Sequence, residues 1–360
     1  MAHNPKLRFG LSLEEATGAS RFNPSLGNAP ALPIVNFAVV GATAPKLVDT
    51  AAGQLPKAAA IVICWTDAEW AALQHVFCGG STVLAYSART HGTWPGWQTW
   101  ASDLPKEPPT GWDHWGLYRL VEIQGRPVLL LKSNTHLDYP GAAYLEQMIE
   151  LVIAKTGCTL VMSTGTAGGA KTTDHVGTVR AVSAGTLYQP ANPPKQWPVY
   201  ASKWTADDTL LSKPGFKQML NPVPATTAAI ETLVGQYNQH FGSTYRRSDL
   251  DPLSLNIADA VPAWFDQTGG TASLLTTPTF VVATTSGNLA DYTAVEMDDA
   301  LIAKACGTKA SFAFVRNVSD PAQGADLPTS AQKNWGSAVY DVFGFYTSFN
   351  GALVAWAMLS

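Results

Sequence analysis

The chain has 360 residues, 46% of them hydrophobic and 14% charged, with a formal net charge of -4. That composition supplies a sizeable core and excludes a disordered chain. It also excludes a basic field able to hold a nucleic-acid backbone.

Residues 1–56 are rich in Ala, Pro, Asn and Gly and are expected as an N-terminal extension packed on a main body spanning 57–360. The start, Met1-Ala2-His3-Asn4-Pro5, lacks a basic region followed by an apolar one, so no signal peptide is expected. No apolar run is read as approaching the roughly 20 residues that cross a bilayer, so no membrane association is expected. Cys64, Cys78, Cys158 and Cys306 are far apart and form no CxxC pair. Three of them sit in apolar segments and suit buried thiols in a reducing, cytoplasmic compartment. The seven histidines form no HExxH motif or close acidic cluster, so neither a metal nor another cofactor is expected.

The apolar, β-branched run 59–64 predicts a buried strand, and residues 69–73 open a helical pattern. Thr66 to Glu69 therefore fall at a strand-to-helix junction, where open α/β sheets place ligands. A carboxylate there is often only a helix cap, which suffices for Asp67; Glu69 has a second use as a general base facing the crevice. The stretch 89–115 carries Trp94, Trp97, Trp100, Trp112 and Trp115 among prolines and glycines. It predicts an insertion near 88–116: a long loop pinned by its tryptophans, or a lid or subunit contact.

Segments 117–123 and 127–132 predict a hairpin, 142–156 a helix, and 159–163 a strand ending in the small-residue turn 164–169. Small residues at a strand end let a ligand approach the backbone. Strands are expected within 177–187, a second insertion near 190–277 with a helix at 226–240, and a strand at 278–285. A helix over 294–306 and a strand over 310–318 follow; 330–358 predicts a long helix interrupted near Gly344 and Gly351. Strands alternating with helices predict an α/β fold, a three-layer αβα sandwich around a mixed central sheet.

Five motifs then occur in order: Asp67-Ala68-Glu69-Trp70, Leu130-Leu131-Lys132-Ser133, Ser163-Thr164-Gly165-Thr166-Ala167-Gly168-Gly169, Ala294-Val295-Glu296-Met297-Asp298, and Arg316-Asn317-Val318-Ser319-Asp320. Together, over residues 59–325, they resemble the nucleoside phosphorylase superfamily. The most similar branch is methylthioadenosine/S-adenosylhomocysteine nucleosidase. The resemblance implies a nucleoside phosphorylase-like fold, a homo-oligomer and a small-molecule nucleoside substrate. It implies that Asp320 protonates the leaving purine and Glu69 activates the attacking water. Met297 and Asp298 would hold the ribose, Thr166 would lie near the nucleophile, and Glu296, Gly165, Thr135, His136 and Asn288 complete the expected substrate-contacting set.

The chemistry matches these roles. Glycosidic cleavage passes through an oxocarbenium-like state, which needs an acid for the departing group and negative charge near the sugar. Phosphorylases of the hexameric bacterial type carry an arginine at the position of Ser163, so the resemblance favours water over phosphate as nucleophile. Arg89 or Arg126 supplying that charge from elsewhere leaves a phosphorylase open, and a non-catalytic nucleoside-binding protein is the third reading. The resembling family has an apolar turn where this chain has Asn134-Thr135-His136-Leu137, and a glutamate where it has Asp298. A 5′-alkylthio group is therefore a poorer expectation than a 5′-hydroxyl or phosphate.

Overall fold

The computed structural model describes residues 31–80, 96–137, 139–171, 174–189, 191–202, 204, 209–250, 265–267, 273–278, 289–321, 327, 328, 331 and 335–360. Its centre is strand β2 (Ala60–Cys64), which is buried throughout. Alternation divides β2 between two cores. Ala60, Val62 and Cys64 face one apolar cluster, and Ile61 and Ile63 face another.

On the first face lies helix α1 (Asp67–Phe77), which buries Trp70, Leu73, Val76 and Phe77. Beside β2 runs the hairpin of β4 (Gly116–Ile123) and β5 (Arg126–Ser133), after the short strands β1 (Lys46–Val48) and β3 (Gln98–Trp100). Its two-residue turn is Gln124-Gly125, both at positive φ, as a primed turn requires. Helix α2 (Ala142–Thr156) covers the second face through Leu145, Met148, Ile149 and Val152.

Strand β6 (Leu160–Gly169) runs parallel to β2. After it come β7 (Val179–Val182), β8 (Ala184–Leu187), β9 (Val199–Ala201), α3 (Pro214–Met219), α4 (Thr227–Phe241), α5 (Arg247–Leu250), β10 (Phe265–Gln267) and β11 (Leu274–Thr276). The chain closes with β12 (Val295–Glu296), α6 (Asp299–Cys306), β13 (Ser311–Pro321) and α7 (Trp335–Leu359). The sheet order is β1-β4-β5-β2-β6-β12-β11-β8-β9. β13 pairs with the other side of β6 and with β7, which pairs with β10. β2, β5, β6 and β13 are parallel, whereas β4–β5 and β13–β7 are antiparallel. With α1 and α7 on one face and α2 and α6 on the other, the fold is the expected three-layer αβα sandwich on a mixed sheet.

Several local expectations are corrected. Within residues 1–56, residues 46–48 form a strand: β1 pairs with β4. The Trp-rich stretch contains a strand, β3, paired with β4, and its Trp97, Trp100, Trp112 and Trp115 are buried. Trp94 lies outside the described residues. The small residues 164–169 are not a turn but the second half of β6, held open-faced against β13. The segment 294–306 is not one helix, because Val295 and Glu296 pair as β12 and the helix begins at Asp299. Most of 278–285 lies outside the described residues, and β11 just before it was not anticipated.

Helix α7 is not interrupted by its glycines. Each sits where a neighbour comes close: a Cβ at Gly344 would lie 2.9 Å from the Tyr340 ring, and one at Gly351 would lie 2.6 Å from the Asn317 side chain. By length and composition the segment Ala338–Leu359 would span a bilayer, contrary to the expectation of no such run, yet 94% of its most apolar window is buried inside the fold. It is the central helix of the first core.

Candidate functional site

The parallel strands β2, β6 and β13 end on the same side of the sheet, and the polar residues gather there. β2 gives way to Trp65 and Thr66, and Thr66 caps α1: its hydroxyl accepts from Glu69 N at 3.3 Å. Glu69 returns the bond, with Oε2 accepting from Thr66 N at 2.9 Å and Trp65 N at 2.8 Å. This reciprocal box fixes a glutamate that is only 3% exposed. Its other oxygen, Oε1, accepts from Thr166 N and Thr166 Oγ1, both at 2.7 Å. Gly165 permits the approach, since a Cβ there would lie 2.8 Å from Glu69 Oε1 and 2.8 Å from Arg316 Nη1.

Arg316, on β13, joins the rest. Its Nε donates to Asp299 Oδ2 at 2.8 Å, and its Nη2 reaches Asp299 Oδ1, Glu296 Oε2 at 3.2 Å and Ser163 Oγ at 3.3 Å. Its Nη1 donates to Thr166 O at 3.2 Å, and the guanidinium lies 5.1 Å from the centroid of Trp65. Burial works against the Arg316 charge, but Asp299 and Glu296 outweigh it and hold the guanidinium firmly ionised. Burial, reinforced by Asp299, pushes Glu296 up to about 7.

The Glu296 carboxylate is held on both oxygens by protein: Thr276 Oγ1 binds Oε1, while Oε2 also accepts from Asp298 N at 2.6 Å and Asp299 N at 2.9 Å. It builds the first turn of α6 around Arg316. Asp298 is buried beside it, and desolvation, then Glu296, drive its carboxyl well above the ordinary range. Oδ1 accepts from Leu137 N at 2.9 Å, and Oδ2 lies 3.2 Å from His136 Nε2. The turn 134–137 is tied down in turn, because Trp65 Nε1 donates to Thr135 O at 2.9 Å. His136 thus meets Asp298, while the Thr135 side chain is wholly enclosed.

Asp320 is placed by register. β13 is parallel to β6 with an irregularity between Val318 and Asp320, so Ser319 is the extra residue and Asp320 pairs with Gly168. The same Gly168 pairs with Val295 of β12, which brings the two motifs to one point of the sheet. Ser319 Oγ donates to Asp320 Oδ1 at 2.6 Å. Asp320 Oδ2 is buried with no hydrogen-bond partner among the described residues. Burial raises this carboxyl to about 7, only partly offset by the Ser319 hydroxyl.

The structure thus joins Glu69, Gly165 and Thr166 directly, and Glu296, Asp298 and His136 through Arg316 and the turn. Asp320 is linked to them by strand pairing and not by a side-chain bond among the described residues. Met297 is half-buried between Glu296 and Asp298. Asn288 and Arg89 lie outside the described residues. Arg126 is at the opposite end of the parallel strands, where its Nη2 donates to Leu359 O. Among the described residues no group of three His, Cys, Asp or Glu is placed to hold a metal ion. Arg316 and Asp299 carry no site role in the sequence reading, although Arg316 opens the fifth motif. The available signal was a charge inside the apolar strand Phe312-Ala313-Phe314-Val315-Arg316, which burial would require to be paired.

No protein-family model matches the chain, and no curated protein matches it. Among solved structures it is similar to 5′-methylthioadenosine/S-adenosylhomocysteine nucleosidase from Helicobacter pylori, with 11% identity, a TM-score of 0.45, and coverage of 84% of this chain and 98% of the other. The nucleosidase of the same name from Neisseria meningitidis gives 15% identity and a TM-score of 0.43 over 84% and 98%. Futalosine hydrolase of Helicobacter pylori gives 11% and 0.44 over 83% and 97%.

Proposed function

We propose that this chain hydrolyses the N-glycosidic bond of a purine nucleoside or a related nucleotide-like substrate. The observation that carries the reading is Asp320: a buried carboxyl whose pKa stands at about 7, with one oxygen held by Ser319 and the other without a protein partner. A carboxylic acid that stays protonated near neutrality, with an unoccupied oxygen, is suited to donate to the departing base.

Glu69 is the base that orients the water, with Thr166 bound to the same oxygen. Asp298 accepts from the sugar hydroxyls. The carboxylates around Arg316 favour positive charge developing on the ribose. Water is the nucleophile favoured at Ser163. Its side chain is fully buried and bonded to Asp299 and Arg316, which supports water over a phosphate dianion there.

The test is base release from a panel of purine nucleosides and nucleotides, run with and without phosphate. Release that needs no phosphate and yields the free sugar is expected. Release that requires phosphate and yields a sugar 1-phosphate selects the phosphorylase instead. No release from any member, with nucleoside still bound, leaves a non-catalytic binding protein.

A further inference from the structure

His136 takes no part in the chemistry above, yet it lies against the carboxylate assigned to the sugar. His136 Nε2 is 3.2 Å from Asp298 Oδ2, and the next residue, Leu137, donates its backbone N–H to Oδ1 at 2.9 Å. Two successive residues therefore grip the two oxygens of one carboxylate. A carboxylate has about four acceptor positions. Among the described residues, the turn takes one on each oxygen and leaves one on each.

The grip is itself braced. His136 N donates to Tyr139 O at 2.8 Å, and Gly141 N to His136 O at 3.3 Å. Thr135 O accepts from Trp65 Nε1 at 2.9 Å and from Ser133 Oγ at 2.6 Å. The His136 ring meets Trp65 edge-on with centroids 6.4 Å apart, and Trp65 lies over Arg316. The imidazole is thus locked to the same framework that holds the arginine. A short aspartate needs such a brace, since its carboxylate has two torsions and no side-chain hydrogen bond capping its own helix.

We propose that His136 is a positioning residue that fixes the Asp298 carboxylate with one free acceptor site on each oxygen, so that it sets the preference for sugars bearing two adjacent hydroxyls. The proposal rests on Asp298 being the sugar-hydroxyl acceptor under the proposed function. His136 donates from Nε2 and acts through Asp298, so its effect depends on the hydroxyls and not on the base.

The test compares a purine ribonucleoside with its 2′,3′-dideoxy counterpart, in the wild type, His136→Ala and His136→Gln. His136→Ala is expected to raise KM for the ribonucleoside roughly ten- to hundredfold, with a much smaller fall in kcat. The dideoxynucleoside KM should change by no more than about twofold. His136→Gln, whose amide N–H reaches towards the Nε2 position, should recover most of the loss. An equal rise for both substrates, or no rise for either, overturns the proposal. If the alanine variant does not fold, His136→Phe keeps the ring against Trp65, removes the donor and carries the same comparison. Asp298→Asn separates the two claims: if it leaves ribose discrimination intact, the assignment of Asp298 fails independently of His136. If the wild type releases no base at all, calorimetric affinities for the same two nucleosides decide the role of His136 without turnover.

Discussion

Thr166 binds Glu69 through both its backbone N–H and its hydroxyl, each 2.7 Å from the same oxygen, Oε1. With the two cap amides on Oε2, all four acceptor positions of the carboxylate are filled. Capping and crevice-facing are therefore one arrangement: the cap orients the oxygen that meets β6. A water that Glu69 activates must replace the Thr166 hydroxyl or pair through it. Thr166→Val keeps the N–H bond and removes the hydroxyl. It is expected to lower kcat by roughly ten- to hundredfold, the scale of one hydrogen bond to a charged group. Thr166→Ser should retain most of the rate. Equal steady-state rates for the two variants would detach the hydroxyl from the reaction.

Gly165 and Gly235 make a matched pair for substitution by alanine. A Cβ at Gly165 would meet Glu69 Oε1 and Arg316 Nη1 at 2.8 Å, whereas one at Gly235, inside α4, meets nothing within 4 Å. Gly165→Ala should displace the two charged groups, cost about 1–3 kcal/mol of stability and abolish most activity. Gly235→Ala should stabilise the protein by up to about 1 kcal/mol with activity unchanged. Urea denaturation and base release on both variants check this. Near-normal activity in Gly165→Ala would show that the contact is not required.

The layers and most elements were legible because continuous apolar runs marked β2 and β13, the turn at Gln124-Gly125 marked the β4–β5 hairpin, and helical periodicity marked α2 and α4. What misled was local composition. Thr164 to Gly169 look like a turn by residue type, but pairing along β13 overrides that preference and extends β6 to Gly169. Gly344 and Gly351 look like breaks, yet burial of α7 outweighs their helix propensity, and the close approach of Tyr340 and Asn317 accounts for them. Within the site, Glu69, Thr166, Asp298 and Asp320 came from motif order. The convergence on Arg316 did not, because Asp299, Glu296 and Ser163 come together from α6, β12 and β6 only once the sheet is assembled.

Arg316 is buried and compensates carboxylates on both sides, so removing it leaves Asp299 and Glu296 without their cation. Arg316→Met is expected to destabilise the fold by about 3–5 kcal/mol, as for other broken buried pairs. Adding Asp299→Asn should recover part of that loss, since Asp299 makes the two-pronged contact. Chemical denaturation of the single and double variants reads both numbers. A single-variant cost under about 1 kcal/mol would mean that the cluster is not held together by this charge.

Asp320 couples activity to stability with opposite signs. An aspartate carboxyl ordinarily titrates near 3.8, and burial raises this one to about 7. The unfolded chain therefore releases this proton first. Stability from this group is fully present below about 3.8, is lost progressively as pH rises, and reaches its floor above about 7. Glu296, raised to about 7, contributes with the same sign, so only the difference between wild type and an Asp320 variant isolates one group. Asp320→Asn removes the ionisation. At pH 8 it should be more stable than wild type by up to roughly 4 kcal/mol, and at pH 5 by less than half of that. The same variant should lose about two to four orders of magnitude in kcat. In the wild type, kcat should fall as pH rises past about 7, because the acid that protonates the base is then ionised. Thermal melts of both proteins at the two pH values, with a kcat profile from pH 5 to 9, test the set. A flat profile, or a variant less stable than wild type at pH 8, would remove Asp320 from the role of a buried, proton-holding acid.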